Sequence, residues 1–311
     1  MTPVSIVVPT VGRPSLRALL AALPPFSGEL ILVDDRRSWR GPLPVPEPLA
    51  GITRVLRGRA AGPAAARNAG WRAAQYDWVV FLDDDVIPDD DWFAWLGKDL
   101  SAPAEVGAVQ GRVRVPLPTD RRPTDWERVT AGLAEAAWIT ADIAYRRVAL
   151  LQAGGFDERF PRAFREDAEL AYRVRTCGWQ LRRGDRTVTH PVRPESRWVS
   201  LRAQRGNADD ARLRRQYGPQ WREKLGVPRG RRRRHAAVTA AGLGAAVAGA
   251  LGARRSACVL AAAWLAGTAE FAATRIAPGP RTRDETLTML LTSVAIPPLA
   301  TAHWIRGWLW R

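Results

Sequence analysis

Among the clustered carboxylates of this chain, three groups stand where chemistry could be done. Asp34-Asp35 and Asp83-Asp84-Asp85 each follow a short run of large apolar residues, and Glu166-Asp167 opens a helical stretch. A hard divalent cation such as Mg²⁺ or Mn²⁺ takes carboxylate oxygens, often only one or two, and fills its remaining sites with substrate phosphates. The sequence Phe81-Leu82-Asp83-Asp84-Asp85 offers such oxygens, held rigidly yet exposed. If the strand pleat continues, Asp83 and Asp85 project alike and Asp84 points to the other side. Asp89, Asp90 and Asp91, by contrast, read as the first turn of the next helix. Acids at a helix start are ordinarily caps favoured by the helix dipole, which is one account of Glu166-Asp167. As a catalytic pair, one of the two would accept a proton from an attacking hydroxyl. His190, in Val188-Thr189-His190-Pro191, is one of three histidines. At a strand end its neutral imidazole could ligate a metal, or it could be a plain core or surface histidine.

The elements that must position these groups alternate. Val4 to Val8 is a β-branched run ended by Pro9, and Leu30 to Val33 and Trp78 to Leu82 are two more buried strands. A weaker strand covers 53–56, and later ones are expected at 107–115 and 138–145. Between them, Pro14 opens a helix carrying Leu16, Leu19, Leu20 and Leu23, and helices are expected over 64–74, 166–177 and 200–216. Strand and helix alternating at short spacing predict an α/β fold, a mainly parallel sheet flanked by helices. In such sheets the ligand crevice lies outside the carboxyl ends of the strands, so both aspartate clusters should face one cleft.

Composition narrows the field. A chain of 311 residues with 46% hydrophobic and 25% charged residues is a folded one. Cys177 and Cys258 are the only cysteines, which excludes a disulfide scaffold and a cysteine-rich zinc site and suits a reducing compartment. The net charge of +16 comes almost wholly from arginine, with lysine only at Lys98 and Lys224. Its local concentration at Arg229 and Arg231 to Arg234 is more informative, because three apolar runs follow, over 236–253, 256–274 and 286–305. Each approaches the ~20 residues that cross a bilayer. Small residues four apart, such as Gly242 and Ala246, permit close helix packing, and Trp304, Trp308 and Trp310 suit an interfacial belt. The opening MTPVSIVVPT has no basic segment before a long apolar run, so no secretory signal is expected. The expected organisation is a catalytic domain over 1–225, a basic linker over 226–235 and apolar, membrane-associated helices over 236–311, with the catalytic domain on the cytoplasmic face.

Taken in order, several segments resemble the family 2 glycosyltransferases of GT-A fold. They are Val7-Val8-Pro9-Thr10, Val33-Asp34-Asp35, Ala66-Arg67-Asn68-Ala69-Gly70, Phe81 to Asp85, Gly154-Gly155-Phe156-Asp157-Glu158, Arg165 to Leu170, and His190. The resemblance spans about residues 3–200. It implies a metal-dependent, inverting transfer of a sugar from a nucleotide-sugar donor to an acceptor hydroxyl. Pro9, Thr10, Asp35, Arg67, Asp83 and Asp84 would bind the donor. Asp85 would hold the metal, Mg²⁺ or Mn²⁺, with Asp83 and His190 as further ligands. Asp167 would be the general base and Glu166 would help position the acceptor. Two departures bear on donor identity: Arg36-Arg37-Ser38 stands where the family usually has Gly-Ser, and Asp142 where Asn is common.

Rival functions lack their signatures. A sugar nucleotidyltransferase would need a glycine-rich phosphate loop after the first strand, where Val11-Gly12-Arg13-Pro14 has one glycine. A nucleic-acid-binding protein would interleave aromatics with its cations, and the Arg229 cluster does not. A non-catalytic nucleotide-sugar-binding relative would not need the Asp85 and Asp167 that this chain retains. A lipid-linked or cell-envelope glycan acceptor is the expectation that follows from the apolar tail.

Overall fold

A computed structural model describes residues 2–38 and 40–309. By compactness the chain divides into two units. The first comprises Met1–Pro116, Ala131–Val192 and Leu225–Val227; the second comprises Leu117–Thr130, Arg193–Lys224 and Pro228–Arg311.

The first unit is an α/β sheet layered between helices. Its elements run β1 (Val4–Thr10), α1 (Ser15–Ala22), β2 (Gly28–Asp34), α2 (Glu47–Ala50), β3 (Thr53–Arg57), α3 (Pro63–Ala73), β4 (Trp78–Leu82), β5 (Ile87–Pro88) and α4 (Trp92–Leu100). After β6 (Val106–Arg114) the chain leaves to form α5 (Asp125–Ala131) of the second unit. It returns as β7 (Asp142–Arg146), α6 (Arg147–Ala153), α7 (Glu166–Thr176) and β8 (Gln180–Thr189). The sheet order is β3-β2-β1-β4-β7-β6-β8-β5. β1 pairs in parallel with β2 and β4, and β2 with β3; β7 runs antiparallel to both neighbours, and β6 and β8 are parallel. Because β7 reverses between β4 and β6, the carboxyl ends of β1, β2, β4, β6 and β8 share one edge of the sheet.

Alternation along the strands builds two cores. Ile6, Val8, Leu30, Leu32 and Val80 meet Leu16 and Leu20 of α1 and Trp92 and Leu96 of α4 on one face. Val7, Ile31, Val33, Val79 and Phe81 meet Trp71 of α3, Leu150 of α6 and Leu170 of α7 on the other. Burial on both faces explains why these strands are continuous apolar runs. The strand expected over 138–145 begins only at Asp142, since Trp138 has a left-handed φ of 64°.

The second unit holds α5, α8 (Val199–Ala203), α9 (Gly206–Tyr217), α10 (Trp221–Leu225), α11 (Arg232–Ala250), α12 (Arg254–Ile276) and α13 (Arg283–Leu309). The single helix expected over 200–216 is broken before Gly206. Compactness thus groups α5 and α8 to α10, which the sequence reading assigned to the first 225 residues, with the apolar helices. Two contacts show why: a Cβ on Gly307 of α13 would strike the Ala208 backbone, and Arg275 of α12 pairs with Asp125 of α5 at 2.7 Å. Trp310, named above for the aromatic belt, lies outside the described residues.

Candidate active site

The three aspartates after β4 do three different things. β4 ends at Leu82, and Asp83 to Val86 form a turn in which the Val86 amide donates to the Asp83 carbonyl at 3.4 Å. The pleat therefore does not continue, and Asp83 and Asp85 do not project alike. Asp84 is buried, accepting from the Thr10 hydroxyl at 2.6 Å and from Arg13 Nη1 at 2.7 Å. It ties the end of β4 to the end of β1, where Pro9 lies half-buried opposite Val33. Thr10 and Asp84, expected at the donor, thus bond to one another.

Asp35 is likewise committed to the backbone. Its carboxylate accepts from the Ala60 amide at 2.7 Å and the Gly62 amide at 3.1 Å, fixing the loop that enters α3. Gly62 has φ 98°, and a Cβ there would lie 2.5 Å from the Pro161 carbonyl oxygen, so this loop also abuts the segment before α7.

Asp83 turns toward α3. The guanidinium of Arg67, only 2% exposed, donates from Nη2 to Asp83 at 2.7 Å and from Nη1 to Glu166 at 2.8 Å. The planar guanidinium, with its donors in a fixed fork, holds the two carboxylates on separate Nη atoms in a defined geometry. Asp83 lies at the end of β4 and Glu166 at the start of α7, so one side chain joins the two acidic sites that the sequence separates by more than eighty residues. Arg67 also stacks over Phe156 at 5.6 Å. Glu166 and Asp167 thereby reach the edge that carries Asp83, and the negative charge of Asp83 is felt at Asp167.

Glu166, expected to meet the acceptor, is 1% exposed, and its Oε2 is buried without a hydrogen-bond partner. Burial, and then the adjacent charge of Asp167, push its carboxyl up to about 8, with Arg67 opposing. Asp167 is half-buried, and its Oδ1 accepts from the Ala168 amide at 2.7 Å. Burial raises its pKa too, against that amide bond and the Arg67 charge. Asp167 sits in the first turn of α7, where the helix dipole favours a carboxylate, and that placement is compatible with a proton-acceptor role. The preceding residue, Arg165, has a left-handed φ of 74°, a conformation that costs about 1–3 kcal/mol in a non-glycine residue and recurs at functional sites.

His190 and Asp85 also meet. The His190 Nε2 lies 3.6 Å from Asp85 Oδ1, and both residues are largely buried. His190 is anchored by its amide, which donates to the Arg114 carbonyl at 2.8 Å, and Nδ1 lies 3.3 Å from the Pro191 carbonyl. If Nδ1–H donates to that carbonyl, the neutral ring turns its Nε2 lone pair to the carboxylate, the usual arrangement of a metal-ligating histidine. Carboxylate plus imidazole suits Mn²⁺ or a similar ion. Asp83, bound to Arg67, stands apart from this pair. Among the described residues no three His, Cys, Asp or Glu side chains cluster closely enough to hold a metal between them.

Several residues here went unassigned in the sequence. Arg13, in the loop after β1, is the second partner of Asp84. Asn68 accepts from Trp71 Nε1 and the Phe156 amide and donates to the Phe156 carbonyl and Glu158, clamping the turn after α6 onto α3. Its place in the Ala66 to Gly70 segment was the only signal. Asp142 is a core group: fully buried, it pairs with Arg186 at 2.8 Å and accepts from Trp92 Nε1 at 2.7 Å, and Arg186 also holds Asp99 at 2.8 Å. Burial raises the Asp142 pKa against these partners.

Comparison with known proteins shows the family and the fold. The sequence matches the model of glycosyl transferase family 2 over residues 5–172. The pre-mycofactocin glycosyltransferases of two Mycobacterium tuberculosis strains are 33% identical over 160 residues, which cover 46% of this chain. The match spans only a third (33%) of the length of those curated relatives. Among solved structures, a mannosyltransferase from Pyrobaculum calidifontis, in complex with GDP-Man and Mn²⁺, is similar with a TM-score of 0.54. That likeness covers 97% of this chain and 88% of the other at 17% identity, and it shows a shared GT-A fold.

Proposed function

The chain belongs to glycosyl transferase family 2, and from that premise we propose that it moves a sugar from a nucleotide-sugar donor to an acceptor hydroxyl in one inverting, cation-assisted displacement. The observation that carries the reading is Arg67, whose two Nη atoms hold Asp83 on one side and Glu166, beside Asp167, on the other. A donor lying along the Asp83 edge and a hydroxyl at Asp167 are then presented to each other in fixed geometry, which is where much of the rate gain of a two-substrate reaction arises.

Asp167 is the proposed base. Burial pushes the Glu166 carboxyl up to about 8 and raises Asp167 as well, so the two adjacent carboxyls share the cost of ionising, and Asp167, the less buried of them, is the one placed to take a proton. The amide of Ala168 fixes one Asp167 oxygen and leaves the other for the hydroxyl proton. Burial raises its pKa, which makes its anion a stronger base toward the hydroxyl proton. Glu166 orients this end of the site through Arg67 and so affects the acceptor indirectly. Pro9, Thr10, Asp35, Asp83 and Asp84 shape the donor side, with Arg13, 42% exposed beyond its Asp84 bond, as a cation within reach of phosphate oxygens. Asp85 and His190 would hold the cation, which supplies charge to stabilise the departing diphosphate. The nucleotide sugar and Mn²⁺ named for the Pyrobaculum protein support this assignment.

The catalytic work is assigned to the first 225 residues, and the apolar tail suggests association with the cytoplasmic face of a membrane and a lipid-linked or cell-envelope acceptor. The test is donor hydrolysis and binding across UDP-, GDP- and dTDP-sugars with Mn²⁺ or Mg²⁺. Asp85→Ala should lose metal-dependent donor binding. Equal donor binding by wild type and Asp85→Ala in the presence and absence of metal would remove the cation site, and no turnover of any donor would remove the transferase reading.

A further inference from the structure

The second unit gives the tail a definite arrangement. α11 and α12 form an antiparallel hairpin in which small residues let the helices approach: Cβ atoms on Gly242 and Gly267 would lie 2.9 Å from Trp264 and 2.5 Å from Val238. The outward sides of this hairpin are apolar and bare, with Leu251 78% and Val259 68% exposed. The charge-free helical stretches, 236–250 of α11 and 256–269 of α12, are about 22 and 21 Å long against a hydrocarbon layer of about 30 Å, a shortfall that snorkelling of the flanking arginines meets.

Every charge in the hairpin lies at one end or the other. Arg254 and Arg255 sit at the tip. At the base, Glu270 pairs with Arg231 and, at 3.2 Å, with Arg234. Arg275 donates to Thr292 at 2.8 Å and to Asp125 at 2.7 Å. Glu270 is thus no obstacle to insertion, because it is neutralised at the boundary. The base carries the greater positive charge, with Arg229 and Arg231 to Arg234 adjoining.

By length and apolarity α12 and α13 are the described helices that could cross a membrane, but α13, with 27 residues, differs from the hairpin. One face, including Thr288, Thr292 and Ser293, is buried against the rest of the unit. Its start meets α5, where Glu285 accepts from the Asp125 amide at 2.8 Å. Its end meets α9, the helix of Arg212, Arg214 and Arg215, where Arg215 donates to the Trp308 carbonyl at 2.8 Å. A helix packed at both ends on such polar helices cannot be surrounded by hydrocarbon. Its outer face nevertheless exposes Leu287, Leu290, Leu291 and Val294, the i, i+3, i+4, i+7 spacing of one apolar stripe, continued by Ile305 and Trp308.

We infer that this chain seats on an anionic lipid bilayer through two modes at once, with the α11–α12 hairpin crossing the hydrocarbon layer and α13 lying flat in the interface at its base. This deepens the membrane association proposed above by fixing the number of crossings at two. The Arg254-Arg255 tip emerges on the far side. The base, with its arginines, faces the side of higher anionic charge, and α13 stays on the side from which α11 enters.

The full-length protein tests this in right-side-out and inverted membrane vesicles with a membrane-impermeant maleimide. Cys177 is the near-side reporter in a Cys258→Ser background. Ser256→Cys in a Cys177→Ser, Cys258→Ser background is the tip reporter, and an epitope follows the C-terminus. Cys177 and the epitope should be reached from the same side and Ser256→Cys only from the other. Labelling of Ser256→Cys from the Cys177 side, an epitope on the tip side, or recovery of the chain in the salt-washed supernatant would each overturn the arrangement. No donor or acceptor is needed, so this result is independent of the transferase assay.

Discussion

Replacing Arg67 by Met should weaken the fold by an amount that depends on pH, and the dependence identifies the charge state of the acidic site. At pH 6.5 Glu166, raised to about 8, is protonated in the folded protein. Arg67→Met then removes a charge-assisted bond to the 29% exposed Asp83 and a bond to a neutral carboxyl, at a cost of about 2 kcal/mol. Above pH 8 the wild type holds an ionised Glu166 against Arg67, and breaking that buried pair costs about 3–5 kcal/mol. The sign follows from proton linkage. Folded Glu166 binds its proton more tightly than the unfolded chain, so its share of stability is complete below its ordinary pKa and is lost as pH rises through about 8. Removing Arg67 raises that pKa further and makes the loss greater at high pH. Urea unfolding of wild type, Arg67→Met, Glu166→Gln and the double variant at pH 6.5 and 9 measures all four corners. The expected result is a penalty for Arg67→Met that grows by about 1–3 kcal/mol between the two pH values and stops growing in the Glu166→Gln background. A penalty independent of pH, or strictly additive with Glu166→Gln, would refute the claim that Arg67 compensates Glu166.

Three further outcomes follow from the same geometry. Asp167→Asn should bind donor normally and lose transfer by about 10²–10⁴-fold, and in wild type the rate should fall as pH drops through the raised Asp167 pKa; calorimetric binding and single-turnover rates check both. Gly155→Ala should destabilise by about 1–3 kcal/mol in thermal unfolding, because a Cβ would sit 2.6 Å from Asn68 Oδ1 on a backbone with φ 71°. Asp142→Asn should cost about 1–3 kcal/mol in denaturant unfolding by weakening the hold on Arg186, while leaving the apparent donor affinity unchanged.

The strands and the edge they share were legible because burial on both faces forces continuous apolar runs, and aspartates directly after Val33 and Leu82 mark where those runs stop. The tail was legible for a different reason, as three apolar runs that correspond to α11, α12 and α13. Individual partners were not, because they depend on where a turn bends: the break after Leu82 sends Asp83, Asp84 and Asp85 to Arg67, to Thr10 with Arg13, and to His190. Spacing alone predicted a common direction for Asp83 and Asp85. The Arg67 bridge was invisible because its two carboxylates are brought together only by long-range packing. Asp142 shows the same limit, since its burial against Arg186 and Trp92 is set by three separate elements.

The Asn68 clamp has a practical consequence for building hybrids of this domain. Three hydrogen bonds between the Asn68 amide group and Phe156 and Glu158, and a glycine with no room for a methyl group, make α3 and the turn after α6 a matched pair, lock and key on chain segments about ninety residues apart. Grafting either segment from another enzyme without its counterpart would leave Phe156 and Glu158 without their anchor and let the start of α7 drift. Chimaeras intended to change substrate choice should therefore exchange the two segments together, however far apart their genes are cut.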